Sequence, residues 1–245
     1  MIEVKKLFKS YNGKQVLSNI NFSVAQGESV AIVGKSGAGK SVLLKCLISL
    51  IKPDEGNILI DNKLINEMNF NELQGIRSKI GMIFQFGALF DSMSVGENIS
   101  LALQKLTRLS KEEIESRVSN SLAEVDMENT ENLMPSELSG GMKKRVGIAR
   151  AIAIEPSYLF YDEPTTGLDP IMTDIINRLI LKFQNTREVT SVIITHEMRT
   201  VYEVADRVLL LHDGTIRFDG NAEAIKQSKD VIVQQFITGN STLVQ

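Results

Sequence analysis

The segment Gly34-Lys35-Ser36-Gly37-Ala38-Gly39-Lys40-Ser41 fits the pattern G-x-x-x-x-G-K-[ST] at every position. It follows an apolar strand candidate, Ser29–Val33, and opens a helix candidate at residues 40–51, the context that a phosphate-binding loop requires. Its glycines let backbone amides curl around phosphates, and the helix N-terminus favours anions. Lys40 would supply charge to terminal phosphates and Ser41 a hydroxyl to Mg²⁺. The alternative, a chance glycine-rich turn, is disfavoured by the full match in context.

A second motif, Tyr158-Leu159-Phe160-Tyr161-Asp162-Glu163, is an apolar strand that ends in two carboxylates. A strand tip is a rigid place to hold a metal-binding acid beside the phosphate loop. We expect Asp162 to hold Mg²⁺ through water and Glu163 to polarise the attacking water as a general base. A solvated acidic turn before Pro164 would be the better interpretation of this stretch alone, but not beside a complete phosphate loop.

A third motif, Leu138-Ser139-Gly140-Gly141-Met142, precedes a basic helical start, Lys143-Lys144-Arg145-Val146. Ser139 followed by two glycines is a good N-cap and a second anion cradle. A simple helix cap is the alternative, and the motif alone does not decide between them.

Composition narrows the class of protein. The 245 residues carry 27 basic and 30 acidic side chains, and this balance argues weakly against a nucleic-acid binder. The single cysteine, Cys46, excludes an internal disulfide and lies among leucines like a small core residue. No apolar run approaches the roughly 20 residues of a membrane span, and the N-terminus lacks the apolar core of a signal peptide. We therefore expect any membrane work to fall to other chains.

The order of elements predicts an α/β fold with a mostly parallel core sheet flanked by helices. Strands with turns at Asn12-Gly13 and Gln26-Gly27 fill the first stretch, whereas residues 95–125 follow a helical periodicity. After Pro156 the pattern returns to strand, helix and strand. We expect a nucleotide-binding core from residues 1–94 and 156–228, an inserted helical subdomain at 95–155, and a tail at 229–245.

In this order, the motifs resemble the ATP-binding subunits of ABC transporters, over nearly the whole chain. The resemblance implies a P-loop NTPase of the ABC ATPase type, with an N-terminal antiparallel β part and an inserted α-helical subdomain, that hydrolyses ATP as a homodimer. It assigns ATP contacts to Tyr11, to the loop from Gly34 through Val42, and to Ser139, Gly140, Gly141 and Asp169. It assigns Mg²⁺ contacts to Ser41, Gln85 and Asp162, and hydrolysis to Glu163, His196 and Gln85.

Three of these residues take their roles from the resemblance alone. Tyr11 corresponds to the aromatic that stacks on adenine, Gln85 to the glutamine that links the metal site to the membrane partner, and His196 to the histidine that contacts the terminal phosphate. Without the resemblance, a core tyrosine and a structural histidine would be preferred for Tyr11 and His196. The other histidine, His212, lies in a late hairpin and receives no role.

The Ser139 motif corresponds to the one that completes the phosphate site of the opposite subunit, and Leu168 with Asp169 to the loop that crosses the dimer interface. The sequence departs from the broad family at Met142, where glutamine is commonest, and at Gly167, where alanine is common. Because Ser139 and the backbone make most phosphate contacts there, neither change argues against hydrolysis.

The segment Phe84-Gln85-Phe86-Gly87-Ala88-Leu89-Phe90-Asp91-Ser92-Met93-Ser94-Val95 is similar to the coupling region of the Mla-type ATPases, which drive lipid transport with Mce-domain partners in bacterial envelopes. Leu133-Met134-Pro135-Ser136-Glu137 and the tail motif Gln235-Phe236-Ile237-Thr238-Gly239 are similar to that group too. The resemblance implies a peripheral motor on the cytoplasmic face of the inner membrane. Its implied partners are a permease, an Mce-domain lipid-binding protein and a small accessory protein, with no nucleic acid.

Two other classes compete with a transporter motor. One is a non-transport ABC ATPase, such as the scaffold ATPase of iron–sulfur cluster assembly, which the Mla-like segment and tail disfavour. The other is a chromosome-maintenance ATPase or a translation factor, which needs coiled-coil arms or tandem ATPase domains that this sequence lacks.

Two apolar patterns predict contacts with other chains. Phe86, Leu89 and Phe90 follow Gln85 in an expected surface loop, and we expect them to line a groove for a short permease helix, with burial in the core as the alternative. In the tail, Val233, Phe236 and Ile237 fall on one face of a short helix. We expect this helix to bury Phe236 between two subunits, and packing on its own domain is the alternative.

Overall fold

The computed structural model of the chain describes residues 1–240, and no helix in that range is long and apolar enough to cross a membrane. The strands in this range are β1 (Ile2–Tyr11), β2 (Lys14–Val24), β3 (Ser29–Val33), β4 (Glu55–Ile60), β5 (Lys63–Leu64), β6 (Ile80–Ile83), β7 (Tyr158–Asp162), β8 (Thr190–Thr195), β9 (Arg207–His212) and β10 (Thr215–Gly220). The α-helices are α1 (Lys40–Leu47), α2 (Phe70–Arg77), α3 (Val95–Leu106), α4 (Lys111–Ala123), α5 (Gly140–Ala153), α6 (Pro170–Arg187), α7 (Met198–Val204), α8 (Ala222–Lys226) and α9 (Val231–Thr238).

Two compact units divide these residues. Unit 1 comprises residues 1–73 and 190–240, and unit 2 comprises residues 74–189. Unit 1 contains an antiparallel sheet in the order β2-β1-β4-β5, and a second set of strands in which β3 lies between β8 and β9, parallel to both. The strand β10 pairs antiparallel with β9. In unit 2, β6 and β7 pair in parallel, and helices α3, α4 and α5 pack together.

Local sequence signals explain several of these elements. The turn Asn12-Gly13 between β1 and β2 has φ of 50° and 75°, and Asp213-Gly214 between β9 and β10 has 45° and 73°. Two consecutive positive φ values are the requirement of a tight hairpin turn, which Asn-Gly and Asp-Gly meet at little cost. All five residues of β3 are buried, as expected of a parallel strand covered on both faces.

Side-chain caps delimit the helices of unit 2. Ser94 and Glu97 form a reciprocal capping box at the start of α3, and Ser110 and Glu113 form another at the start of α4. The helical periodicity predicted for residues 95–125 is therefore divided into two helices. In unit 1, the predicted helix at residues 40–51 ends earlier, at Leu47, because Ser49 adopts a left-handed backbone with φ of 57°.

Cys46 lies on α1 and is 1% exposed. Its burial raises the pKa of the thiol to about 11. The thiol is therefore protonated near neutral pH and a poor nucleophile. The prediction that Cys46 is a core residue is confirmed.

Within one chain the tail follows the alternative expected for it, which is packing on its own domain. Helix α9 packs on unit 1 itself: Val233 belongs to a buried cluster with Val33 and Leu210, and Phe236 and Ile237 pack against that cluster. Asp230 fixes the start of the helix, since it caps the amides of Ile232 and Val233 and its other oxygen accepts a 2.8 Å bond from Arg217. The apolar face of α9 therefore packs within the chain, and burial of the exposed part of Phe236 between two subunits stays a prediction. The last five residues of the predicted tail, 241–245, lie outside the described range.

We expect Phe236→Ala to lower the free energy of unfolding by roughly 1–2 kcal/mol, because the ring is only partly buried and a fully buried Phe→Ala costs about 3–5. Urea denaturation measures this change, and Ile232→Ala is a matched control, since Ile232 lies on the same helix outside the cluster. A Phe236 variant with wild-type stability but a weaker dimer in sedimentation would instead support the role between subunits.

Candidate functional site

The phosphate loop of unit 1 connects β3 to α1, as predicted. Gly39 is the N-cap of α1 with φ of 104°, and a Cβ atom there would lie 2.9 Å from the carbonyl oxygen of Val16. No larger residue fits this turn without moving the backbone. The cap makes no side-chain hydrogen bond and the first turn of α1 holds no acidic residue, so the positive end of this helix is not neutralised by its own sequence. Such an end is a ready site for a phosphate.

Lys40 places a buried charge on this loop. Its side chain is 7% exposed, and Nζ donates to the carbonyl oxygens of Gly34 at 2.7 Å and Lys35 at 3.2 Å. A desolvated ammonium is stable only when acceptors surround it, and a phosphate would add a full opposite charge. The loop therefore presents both backbone amides and a cation to an anionic ligand.

The strand order of unit 1 brings both histidines to the edge that carries this loop. Val33, the last residue of β3, pairs with Thr195 on one side and Leu210 on the other, and all three strands run in parallel. His196 follows β8 and is exposed, whereas His212 ends β9. A polar cavity of about 440 Å³ lies against the loop, and it is lined by residues 14–16, 35–38 and 212–214. His212 has no role predicted from the sequence, because no local signal reveals that β9 lies beside β3.

Tyr11 ends β1 at the hairpin turn and is 42% exposed. It is not the core tyrosine that the residue pattern alone would favour. Nζ of Lys9 lies 5.3 Å from the ring centroid and donates to Asp54 at 2.7 Å, and this hydrogen bond raises the pKa of Lys9. Stacking of Tyr11 on adenine stays a prediction.

In unit 2, the parallel pairing of β6 and β7 likewise places three other predicted site residues at the carboxyl ends of neighbouring strands. Ile83 on β6 pairs in parallel with Tyr161 on β7. Asp162 is the last residue of one strand, and Gln85 and Glu163 follow the carboxyl ends of the two neighbouring strands. The Oγ1 hydroxyl of Thr166 donates to Oε2 of Glu163 at 2.9 Å.

Glu163 itself has a left-handed backbone, with φ of 50°. Few residues other than glycine adopt this conformation, and it is frequent at active sites.

The remaining predicted residues of unit 2 begin helices. Ser139 is the N-cap of α5 and accepts a 3.3 Å bond from the amide of Met142. Asp169 caps α6 and accepts bonds of 2.9 and 3.0 Å from the amides of Ile171 and Met172. The two helix starts are adjacent, because the side chain of Met172 occupies the space beside Gly141. Both side chains are engaged as caps of their own helices, and their contacts with nucleotide stay predictions.

The donor set assigned to Mg²⁺ suits that ion. Ser41, Gln85 and Asp162 offer a hydroxyl, an amide and a carboxylate oxygen, and Mg²⁺ prefers hard oxygen ligands. Within residues 1–240 no group of three or more His, Cys, Asp or Glu side chains is placed to hold a metal. Mg²⁺ in phosphate-transfer sites needs only one or two carboxylates, since waters and phosphates complete its shell.

A family model described as ABC transporter matches residues 17–166, more than half of the chain. The chain therefore belongs to the ABC transporter family. It is an ATP-binding subunit that hydrolyses ATP and couples hydrolysis to transport.

Individual relatives agree with this assignment. The chain is 37% identical to the ATP-binding protein MlaF of an intermembrane phospholipid transport system in Haemophilus influenzae, over 98% of this chain and 91% of that protein. It is 40% identical to methionine import ATP-binding protein MetN 1 of Listeria monocytogenes, over 97% and 71%. A dimeric ATP-binding cassette bound to ADP and Pi superposes with a TM-score of 0.84 at 34% identity, over 91% of this chain and 99% of that one. The predicted ABC ATPase fold is confirmed, and cassettes of this class form dimers and pair with permeases.

Proposed function

We propose that this ATPase drives the transport of phospholipid or another lipid across a bacterial envelope, with a permease and an Mce-domain protein as partners. One observation carries the proposal: unit 2 has an apolar groove of about 630 Å³, formed partly by the segment that resembles the Mla-type coupling region. That segment contributes Phe84, Ala88 and Phe90, and α3 contributes Leu101 and Ala102. The similarity to MlaF over almost the whole chain supports the same assignment. The proposal places the subunit on the cytoplasmic face of the inner membrane.

The groove differs in detail from the one predicted. Phe90 lines it, but Phe86 is 77% exposed outside it and Leu89 is half-buried elsewhere. Gly87 and Ala88 both have positive φ, so the chain turns between Phe84 and Phe90. The expected groove is therefore lined by the two ends of this loop and by α3, which lies further along the chain.

We expect Ala102→Glu to abolish association with the permease and to leave the basal ATPase rate of the purified subunit unchanged. The carboxylate would be buried against an apolar helix without a partner, which costs several kcal/mol. Co-purification from detergent-solubilised membranes measures the association. Gln104→Glu is the matched control, because it introduces the same charge at an exposed position of α3. Normal complex assembly by the Ala102 variant would contradict the groove assignment.

Each predicted site residue has a role in ATP binding or hydrolysis under this proposed function. Lys40 and the loop amides bind the phosphates, Tyr11 stacks on adenine, and Glu163 accepts the proton of the attacking water. Bound Mg²⁺ would neutralise phosphate charge. The ligands of Mg²⁺ would be Ser41, Gln85 and Asp162. His196 would contact the terminal phosphate. The nucleotide on the opposite subunit would be contacted by Ser139, Gly140, Gly141 and Asp169.

Methionine import is a second candidate, because a methionine import relative is 40% identical over 97% of the chain. Reconstitution of the co-purified complex in proteoliposomes separates the two functions. We expect ATP to drive movement of fluorescent phospholipid and not uptake of labelled methionine. ATP-driven methionine uptake would favour the second candidate, and a chain that brings down no polytopic membrane protein would contradict both.

A further inference from the structure

Lys144 is a buried cation in unit 2 to which sequence analysis gave no role. It lies in α5, five residues after Ser139, and is 5% exposed. Nζ donates to the carbonyl oxygen of Pro164 at 2.9 Å and to that of Thr166 at 2.7 Å. A buried ammonium is costly unless acceptors surround it, and loop carbonyls that lack a strand or helix partner need donors. Each group therefore satisfies the other.

The loop held by Lys144 begins at Glu163. The peptide from Pro164 to Thr166 follows the left-handed backbone of Glu163, and the hydroxyl of Thr166 donates to the Glu163 carboxylate at 2.9 Å. Thr166 therefore connects Lys144 to Glu163. Its carbonyl oxygen accepts a hydrogen bond from Lys144, and its hydroxyl donates one to the Glu163 carboxylate. A shift of this loop would therefore disturb the hydrogen bond that orients the carboxylate.

Helix α5 is fixed at its other end to the loop that borders the apolar groove. The two terminal nitrogens of Arg150 donate to the carbonyl oxygens of Ala88 and Gly87, each at 2.8 Å. A Cβ atom at Gly87 would lie 2.6 Å from the carbonyl oxygen of Lys143, so the loop lies directly against the helix backbone. One helix thus carries the Ser139 motif, contacts the groove loop and holds the loop after Glu163.

We propose that Lys144 is a positioning residue, which fixes the carboxylate of Glu163 relative to α5 through the backbone of residues 164–166. The inference rests on the proposed role of Glu163 as general base. A base must lie within hydrogen-bond reach of the water it activates, so loss of the restraint slows hydrolysis more than it weakens ATP binding. A purely structural lysine would instead affect stability alone.

The test is steady-state ATP hydrolysis by Lys144→Met, which keeps most of the side-chain length and removes the donor. We expect kcat to fall about tenfold or more, while KM for ATP changes less than about twofold, because a misplaced base loses transition-state stabilisation only. In the Glu163→Gln background, the same substitution should cause no further fall, since residues that act through one group are not additive. Single-turnover assays over hours reach the low rates of that background.

Thr166 provides an independent pair of variants, which also covers a Lys144 variant that does not fold. Thr166→Val removes the hydroxyl at constant shape and should lower kcat, whereas Thr166→Ser keeps the hydroxyl and should stay within about twofold of wild type. An equal fall from Lys144→Met with and without Glu163 would overturn the inference, as would normal kcat in both Lys144→Met and Thr166→Val. If Glu163→Gln itself hydrolyses ATP at the wild-type rate, the general-base assignment fails instead.

Discussion

Glu163→Gln is expected to reduce ATP turnover by about 10²- to 10⁴-fold, the usual contribution of a positioned general base. The amide keeps the size of the side chain and can still accept the hydrogen bond from Thr166, so the fold should be unchanged. It cannot take a proton from water. ATP binding should persist, because the phosphate loop lies elsewhere in the sequence and is unaltered.

The same variant should accumulate as an ATP-bound dimer, since closure requires ATP and opening requires hydrolysis. Light scattering with and without ATP detects the change in mass. Glu115→Gln, at an exposed carboxylate on α4, controls for the loss of one negative charge. Turnover of Glu163→Gln near the wild-type rate would show that another group activates the water.

Lys40→Ala should abolish measurable ATP binding and with it hydrolysis. The ammonium donates to two carbonyl oxygens of the loop, and its positive charge would stabilise the terminal phosphates of ATP. Titration calorimetry with Mg²⁺ and ATP measures the affinity. Lys45→Ala is the matched control, because Lys45 lies on the same helix and is exposed.

Tyr11→Ala is expected to weaken ATP binding less than Lys40→Ala does. Stacking of a base on an aromatic ring contributes about 1–3 kcal/mol, so this variant should bind ATP roughly 5- to 150-fold more weakly but still measurably. Unchanged affinity in Tyr11→Ala would remove the adenine assignment, and retained tight binding in Lys40→Ala would remove the phosphate assignment.

The sequence by itself determined the parts of this protein whose structure is local. The phosphate loop follows a buried strand and starts a helix, and a few consecutive residues contain everything that this turn needs. The hairpins at Asn12-Gly13 and Asp213-Gly214 and the capping boxes at Ser94 and Ser110 are likewise determined within four residues. For the same reason the ABC ATPase class could be predicted, since its motifs are short and their order is visible in the chain.

Tertiary structure alone decided how distant segments meet. The tail helix carries an apolar face that could suit a partner subunit or its own domain, and only the cluster around Val33 and Leu210 shows that it packs on its own domain. His212 reaches the phosphate loop because β9 pairs with β3, and Lys144 reaches Thr166 because α5 packs beside that loop. These contacts join residues about 20 to 200 positions apart. Amphipathic periodicity specifies which face of an element is buried but not which other element covers it.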